Sequence, residues 1–502
     1  MALIGTAFGF IVRAFSIGDW GKEFNLSGAE QGQILGVGFW PFALSIILFS
    51  LVIDTIGYKR ALYFALFCHA VSGVMTCLAT GYWSLYWSTF VFALGSGTVE
   101  AVINPVVATM FNKDKAKWLN ALHAGWPGGL VLAGLAAIFL TWVGVISWRL
   151  KVGLIYIPLV AYGIMMTHLK FPINERVAAG IPYKDMLKEA GGLGALIASA
   201  LMVSEISRLF GGPTIMDTVW HGSASLVVWA IILGISAGYG VFVKSIGRPM
   251  FIFLSLVMIP LATTELGTDG WVTSLMGPEM AKIGLHAGWI IVYTSAIMTL
   301  LRFFAGPIVH KLSPLGLLMV CSLLAALGLF SLSKATGIGI LAAATLYGVG
   351  KSFFWPTMLA VVSERFPRGG ALTLNTMGAV GMLGVGMVGA VFMGTMQDKS
   401  IDKGLAAYDA KNNTAIHSTY VTEHKQSFFG SYDALDQSKV STASVEDKAA
   451  INTASAAAKL DAFQGVASLP VLMFVCYLGL VLYFRSRGGY KPVDLESAQR
   501  AE

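Results

Sequence analysis

The sequence predicts an all-α integral membrane protein with about fourteen transmembrane helices. Three observations carry this reading. Of the 502 residues, 56% are hydrophobic and only 12% charged, about half the roughly 25% charged in an ordinary soluble domain. Apolar runs of about twenty residues recur along nearly the whole chain, long enough for a helix to cross a bilayer. These runs do not alternate, and among structures that satisfy every backbone group in lipid this leaves helices rather than a barrel.

The apolar windows fall at 1–20, 33–53, 61–80, 85–111, 119–143 and 151–166, taken as spans 1 to 6. A polar stretch, 170–188, precedes spans A (190–210) and B (223–243). Spans 7 to 12 follow at 250–266, 286–309, 314–332, 338–364, 371–396 and 466–484. The amino terminus has neither a basic region nor a small-residue cleavage site, so the first window reads as a span clipped at its start, not a signal peptide. Cys68, Cys77, Cys321 and Cys476 lie within the apolar runs without metal-like spacing and read as small apolar residues. No cofactor or metal is expected.

Basic residues gather in alternate loops: Lys59 and Arg60; Lys113, Lys115 and Lys117; Lys170, Arg176, Lys184 and Lys188; Lys244 and Arg248; Lys311; Arg365 and Arg368; Arg485, Arg487 and Lys491. The positive-inside rule then places both termini in the cytoplasm of a multi-pass cell-membrane protein. The same bias accounts for the net charge of +7, so the expected partners are the bilayer and a small-molecule substrate, with no nucleic acid. The expected organisation is an N-terminal bundle (1–169), a linker with spans A and B (170–247), spans 7–11 (248–396), a polar extracytoplasmic insertion (397–464), the last helix (465–485) and a cytoplasmic tail (486–502). The insertion, rich in Ala, Ser, Lys and Asp, reads as solvated and low in complexity, and Asn412-Asn413-Thr414 within it fits a glycosylation acceptor.

After span 2 the chain reads Asp54-Thr55-Ile56-Gly57-Tyr58-Lys59-Arg60, which resembles the signature loop of the major facilitator superfamily. Ser50 stands at its usual glycine and Thr55 at a usual basic residue. The loop after span 8 keeps Gly306 and Lys311 but has His310 in place of the acid. Glu100-Ala101-Val102-Ile103-Asn104-Pro105 in span 4 matches Lys351-Ser352-Phe353-Phe354-Trp355-Pro356 in span 10, each with a charge five residues before proline. Likewise Leu119-Asn120-Ala121-Leu122 opens span 5 and Leu374-Asn375-Thr376-Met377 opens span 11. The resemblance implies two six-helix bundles, here with two extra central helices, and such a worn repeat suits a fold of two related halves with the substrate between them near mid-membrane. The Glu-x-x-x-Asn-Pro string and Phe354-Trp355-Pro356-Thr357 are similar to the sugar:proton symporters related to the L-fucose permease. There, the resemblance implies, a span-4 glutamate takes part in proton coupling.

Charges at mid-bilayer cost about 2.5–3.5 kcal/mol each on insertion scales and usually face a cavity or one another. Arg13, Glu100, Glu265 and Lys351 lie in spans 1, 4, 7 and 10, which the resemblance implies line the cavity. The expectation is a charge network in which Glu100 pairs with Arg13 or Lys351 in one conformation and is protonated in another. Asn104, Asn120, His123, Trp126, Trp289, Trp355 and Asn375 are candidates for contacting a neutral polar solute; Trp40 is a further stacking surface. Asp54, Gly57, Lys59, Arg60 and Arg302 are candidates for the gate, Arg302 by its place near the cytoplasmic end of span 8.

Three motifs are discounted. Gly350-Lys351-Ser352 ends like a phosphate loop, but Thr345 stands at its first glycine and no strand precedes it. Gly384-x-Gly386-x-x-Gly389 lies within a membrane helix, where small residues allow close packing. Gly125-Trp126-Pro127-Gly128-Gly129 departs in spacing from the glycine-proline motif of drug:proton antiporters. The reading is a secondary active transporter, not an enzyme, taking up a sugar by proton-coupled alternating access; the alternatives are a multidrug or metabolite:proton exporter, or a carboxylate or sugar-acid transporter of the same superfamily. A monomer is expected.

Overall fold

The computed structural model describes residues 1–26, 28–144, 147–215, 225–269, 280, 282, 284, 288–427, 429–493 and 495. The first six spans are Ala2–Glu23, Glu30–Ile56, Tyr58–Cys77, Tyr82–Met110, Lys115–Leu140 and Trp148–His168. Spans A and B are Tyr183–Leu209 and Leu226–Val243, and span 7 is Pro249–Gly267. Span 8 is the pair Gly288–Phe303 and Ala305–Leu312, bent by 68°; span 9 is Pro314–Leu332. Helices Pro367–Asn412 and Val445–Ser486 contain spans 11 and 12.

Among the described residues, twelve helices are long and apolar enough to cross a membrane, and the bent pair makes a thirteenth. The remaining one of the expected fourteen, span 10, is broken into Gly339–Lys351 and Phe354–Arg365. Pro356 explains the break, since it has no N–H for the carbonyl four residues back and its ring crowds that carbonyl.

Two apolar cores form. One joins spans 1, 3, 4 and 6, with Ala7, Ile11, Ala65 and Leu159 at its centre; the larger is built mainly from spans 7 and 9–12. Glycines set the closest approaches. A Cβ on Gly97 of span 4 would lie 2.1 Å from the Phe42 carbonyl oxygen of span 2, and one on Gly350 would lie 2.3 Å from the Ala325 nitrogen of span 9. The Gly384–Gly389 segment is a packing face: Val385–Gly389 forms a π-turn, and a Cβ on Gly389 would lie 2.5 Å from Thr263 Oγ1 in a second π-turn, Thr263–Gly267 of span 7. Span A lies against spans 7 and 11, and span B against A.

The insertion, polar and largely exposed as its composition suggests, is nevertheless folded. Span 11 runs on as a helix to Asn412, and span 12 is preceded by helix Val445–Val466. Between them lie helix Ile416–Tyr420, an antiparallel hairpin of β1 (Val421–Ser427) and β2 (Gly430–Leu435), and helix Gln437–Thr442. Ile401, Leu405, Ile416, Tyr420 and Ile451 give it a core of its own. Its apolar residues are spread thinly among alanines, so composition hides a core that helix periodicity gathers onto one face. Below, the face carrying this insertion is the insertion face, and the opposite one, with the loops after spans 2, 4, 8 and 10, is the basic face.

Candidate functional site

Prolines prepare the centre of the molecule. Pro105, Pro127 and Pro356 each leave the carbonyl four residues earlier without its helical donor, and a freed carbonyl in lipid needs another partner. These carbonyls belong to Ala101, His123 and Ser352. Asn375 Nδ2 of span 11 donates to the Ala101 oxygen at 3.2 Å. Arg302 takes both others: Nη1 donates to the His123 oxygen at 2.9 Å and Nε to the Ser352 oxygen at 2.5 Å.

Arg302 is 1% exposed. Its Nη2 also donates to Glu265 Oε1 at 2.5 Å. Glu265 Oε2 in turn accepts from the Trp355 backbone N–H at 2.8 Å, one of the free donors in the first turn after the span-10 break. Arg302 therefore sits among the helix breaks, not at the basic-face end of span 8 where it was expected as a gate residue. The span bends by 68° just after it, at Phe304, between Gly288–Phe303 and Ala305–Leu312. The sequence signal was available: three prolines, each four residues after a carbonyl that must find a new donor.

Glu100 pairs with neither Arg13 nor Lys351 here. Asn104 Nδ2 donates to its Oε2 at 2.6 Å, and His123 Nε2 lies 2.8 Å from Asn104 Oδ1 and 4.0 Å from Glu100 Oε2. Lys351 instead bonds to Asp269. Asp269 was missed; its signal is its position one helical turn after Glu265, on the same face. Arg13 faces the interior of the first bundle. It donates to Ser72 Oγ at 2.5 Å, Thr76 Oγ1 at 3.2 Å and the Gly9 oxygen at 3.0 Å, and lies over the Phe92 ring. The expected single network thus divides in two, because Arg13 projects from span 1 toward span 3.

The remaining candidates also divide. Asn120 Nδ2 of span 5 donates to Thr357 Oγ1 of span 10 at 3.2 Å, while the side-chain oxygens of Asn120 and Asn375 are buried without a hydrogen-bond partner among the described residues. These equivalent asparagines of the repeat each bond across to the other half. Trp355 is buried, with its indole under Gly378 and Gly381; Trp126 packs on Phe10, Trp40 on Phe90, and Trp289 is exposed.

At the basic face the halves meet through the linker. Arg176, from the short helix Glu175–Ala178, bonds Asp54 at 2.5 Å, and Asn174 Nδ2 donates to the Tyr58 hydroxyl at 2.9 Å. Lys115 joins Glu175 at 2.7 Å and the Ser363 oxygen of span 10 at 3.3 Å. Thus Arg176, not Lys59 or Arg60, holds the acid of the signature loop; Lys59 donates to the Thr167 oxygen and Arg60 is exposed. Gly57 caps span 2 at φ 83°, a conformation that favours glycine. His310, the residue in the acid's place after span 8, lies 3.5 Å from Asp114 in the loop after span 4.

The family model described as Major Facilitator Superfamily matches residues 1–280. No curated protein sequence matches the chain. Among solved structures, the E. coli fucose:proton symporter FucP is similar at 14% identity and a TM-score of 0.53, over 94% of this chain and 98% of that one. The proton:xylose symporter XylE bound to 6-bromo-6-deoxy-D-glucose is similar at 15% identity and a TM-score of 0.58, over 94% and 93%. At these identities the likeness is one of fold.

Proposed function

Because the chain belongs to the major facilitator superfamily, we propose that it is a proton-coupled importer of a neutral, hydroxyl-rich solute, most simply a sugar, working by alternating access. The observation that carries this is the surroundings of Glu100. The central acids Glu265 and Asp269 each have a cation, Arg302 and Lys351. Among the described residues Glu100 accepts from Asn104 and lies 4.0 Å from His123, and the permanent cation that faces it, Arg302, is bonded to Glu265 rather than to Glu100. A buried carboxylate without a fixed counter-charge is costly when ionised, so it is suited to take up a proton in one state and release it in another. The same pairing disfavours an anionic solute, which would have to displace Glu265 or Asp269 from its cation. The side-chain oxygens of Asn120 and Asn375, which have no hydrogen-bond partner among the described residues, are acceptors that suit hydroxyl donors. The fold neighbours described as fucose:proton and proton:xylose symporters favour the same substrate class.

In this reading the basic face is cytoplasmic. A proton moving down about 100 mV supplies roughly 2.3 kcal/mol, enough for about forty-fold accumulation. The test is uptake of a panel of neutral sugars, sugar acids and cationic drugs by proteoliposomes, with and without an inward proton gradient. Sugar accumulation that collapses with the gradient, and that Glu100→Gln abolishes while leaving sugar exchange at equilibrium, supports the proposal. Gradient-driven movement of drugs or sugar acids alone, or full accumulation by Glu100→Gln, refutes it.

A further inference from the structure

We propose that Arg302 is the positioning residue that carries the state of the Glu100 cluster from one half of the molecule to the other. The inference rests on the proton-coupling role of Glu100 and adds the route by which a proton there would move the second half.

The argument begins with the two carbonyls. In span 5, Pro127 frees the His123 carbonyl; in span 10, Pro356 frees that of Ser352. One guanidinium donates to both and also to Glu265, with all its partners buried. His123 is bonded through its ring to Asn104 and through its carbonyl to Arg302. A change in the Glu100–Asn104–His123 arrangement therefore moves an atom that Arg302 holds. On the other side, Arg302 and Glu265 hold the two ends of the span-10 break, the Ser352 carbonyl and the Trp355 N–H. A planar fork with several fixed donors can hold these partners together; an ammonium cannot reproduce that geometry. The charged or titratable groups facing Glu100 are His123 from span 5 and Arg302 from span 8. The broken helices and the span-7 π-turn supply elements able to take two arrangements, as coupling requires.

The test is the distance between spin labels on Lys113→Cys, in the loop after span 4, and Lys311→Cys, in the last turn of span 8, two exposed sites on the basic face of opposite halves, after replacement of the four native cysteines. The full-length protein is measured in lipid at low and high pH. The ratio of open to closed populations should change with pH by about five-fold or more, within the usual range of coupling between sites. Glu100→Gln should abolish the change. Arg302→Met combined with Glu265→Gln, which removes both charges, should abolish it too. So should Pro127→Ala, which returns the His123 carbonyl to its helix and leaves the ion pair intact. Arg302→Lys should retain the charge and lose most of the shift. A shift abolished by Glu100→Gln but kept in Pro127→Ala and in the double variant overturns the role of Arg302 alone. A wild-type distance that ignores pH overturns both this inference and the proton-coupling reading.

Discussion

At the scale of single residues, the centre of this protein is organised by what each buried group lacks. Arg302 has partners for its charge and for two proline-freed carbonyls, so removing either member of its pair with Glu265 leaves the other charge buried alone. Arg302→Met by itself should destabilise the protein by about 3–5 kcal/mol, whereas Arg302→Met with Glu265→Gln should recover most of that loss. Denaturant titration in detergent measures both. Arg13 presents a contrast, since its described side-chain partners are hydroxyls of span 3 within one half. Arg13→Met should lower stability without altering the pH dependence of transport, and solute uptake measured across pH separates the two effects.

At the scale of elements, glycine and proline do different work. Gly97→Ala would force a methyl to within 2.1 Å of the Phe42 carbonyl oxygen, and spans 2 and 4 must part to admit it. An overpacking loss of about 1–3 kcal/mol is expected, read as a lower melting midpoint than wild type shows in the same detergent. The linker is the other element with a distinct task. Asp54→Asn weakens its hold through Arg176, so a cysteine at Thr109, beside the recess between the halves, should react faster with a soluble maleimide than in the parent. An unchanged labelling rate would remove the linker from the gate.

At the scale of the whole molecule, the insertion has its own core and its supporting helices continue into spans 11 and 12. A cysteine at the exposed Ser441 should be labelled by a membrane-impermeant reagent in intact cells, and one at Lys113 only after permeabilisation. The reverse pattern would invert the assigned orientation.

Much of this architecture was legible in the sequence because lipid makes demands that do not depend on tertiary detail. A backbone crossing a bilayer must bond internally, so apolar runs of sufficient length are helices, and charges kept within them must find partners. Glu100, Glu265 and Lys351 could be selected on those grounds, and Asn120 and Asn375 by their equivalent places in the repeat. What the sequence could not decide was which charge meets which. Glu265 and Arg302 are 37 residues apart, Arg302 and His123 are 179 apart, and Lys351 and Asp269 are 82 apart; these meetings depend on the rotation and bending of packed helices. The folded insertion was hidden for the same reason, because its few apolar residues form a core only after helices and hairpin converge. Sequence alone determined which groups had to be satisfied; tertiary structure decided their partners, because hydrogen bonds and ion pairs require approach to about 3 Å and spacing along a helix does not set the distance to its neighbour.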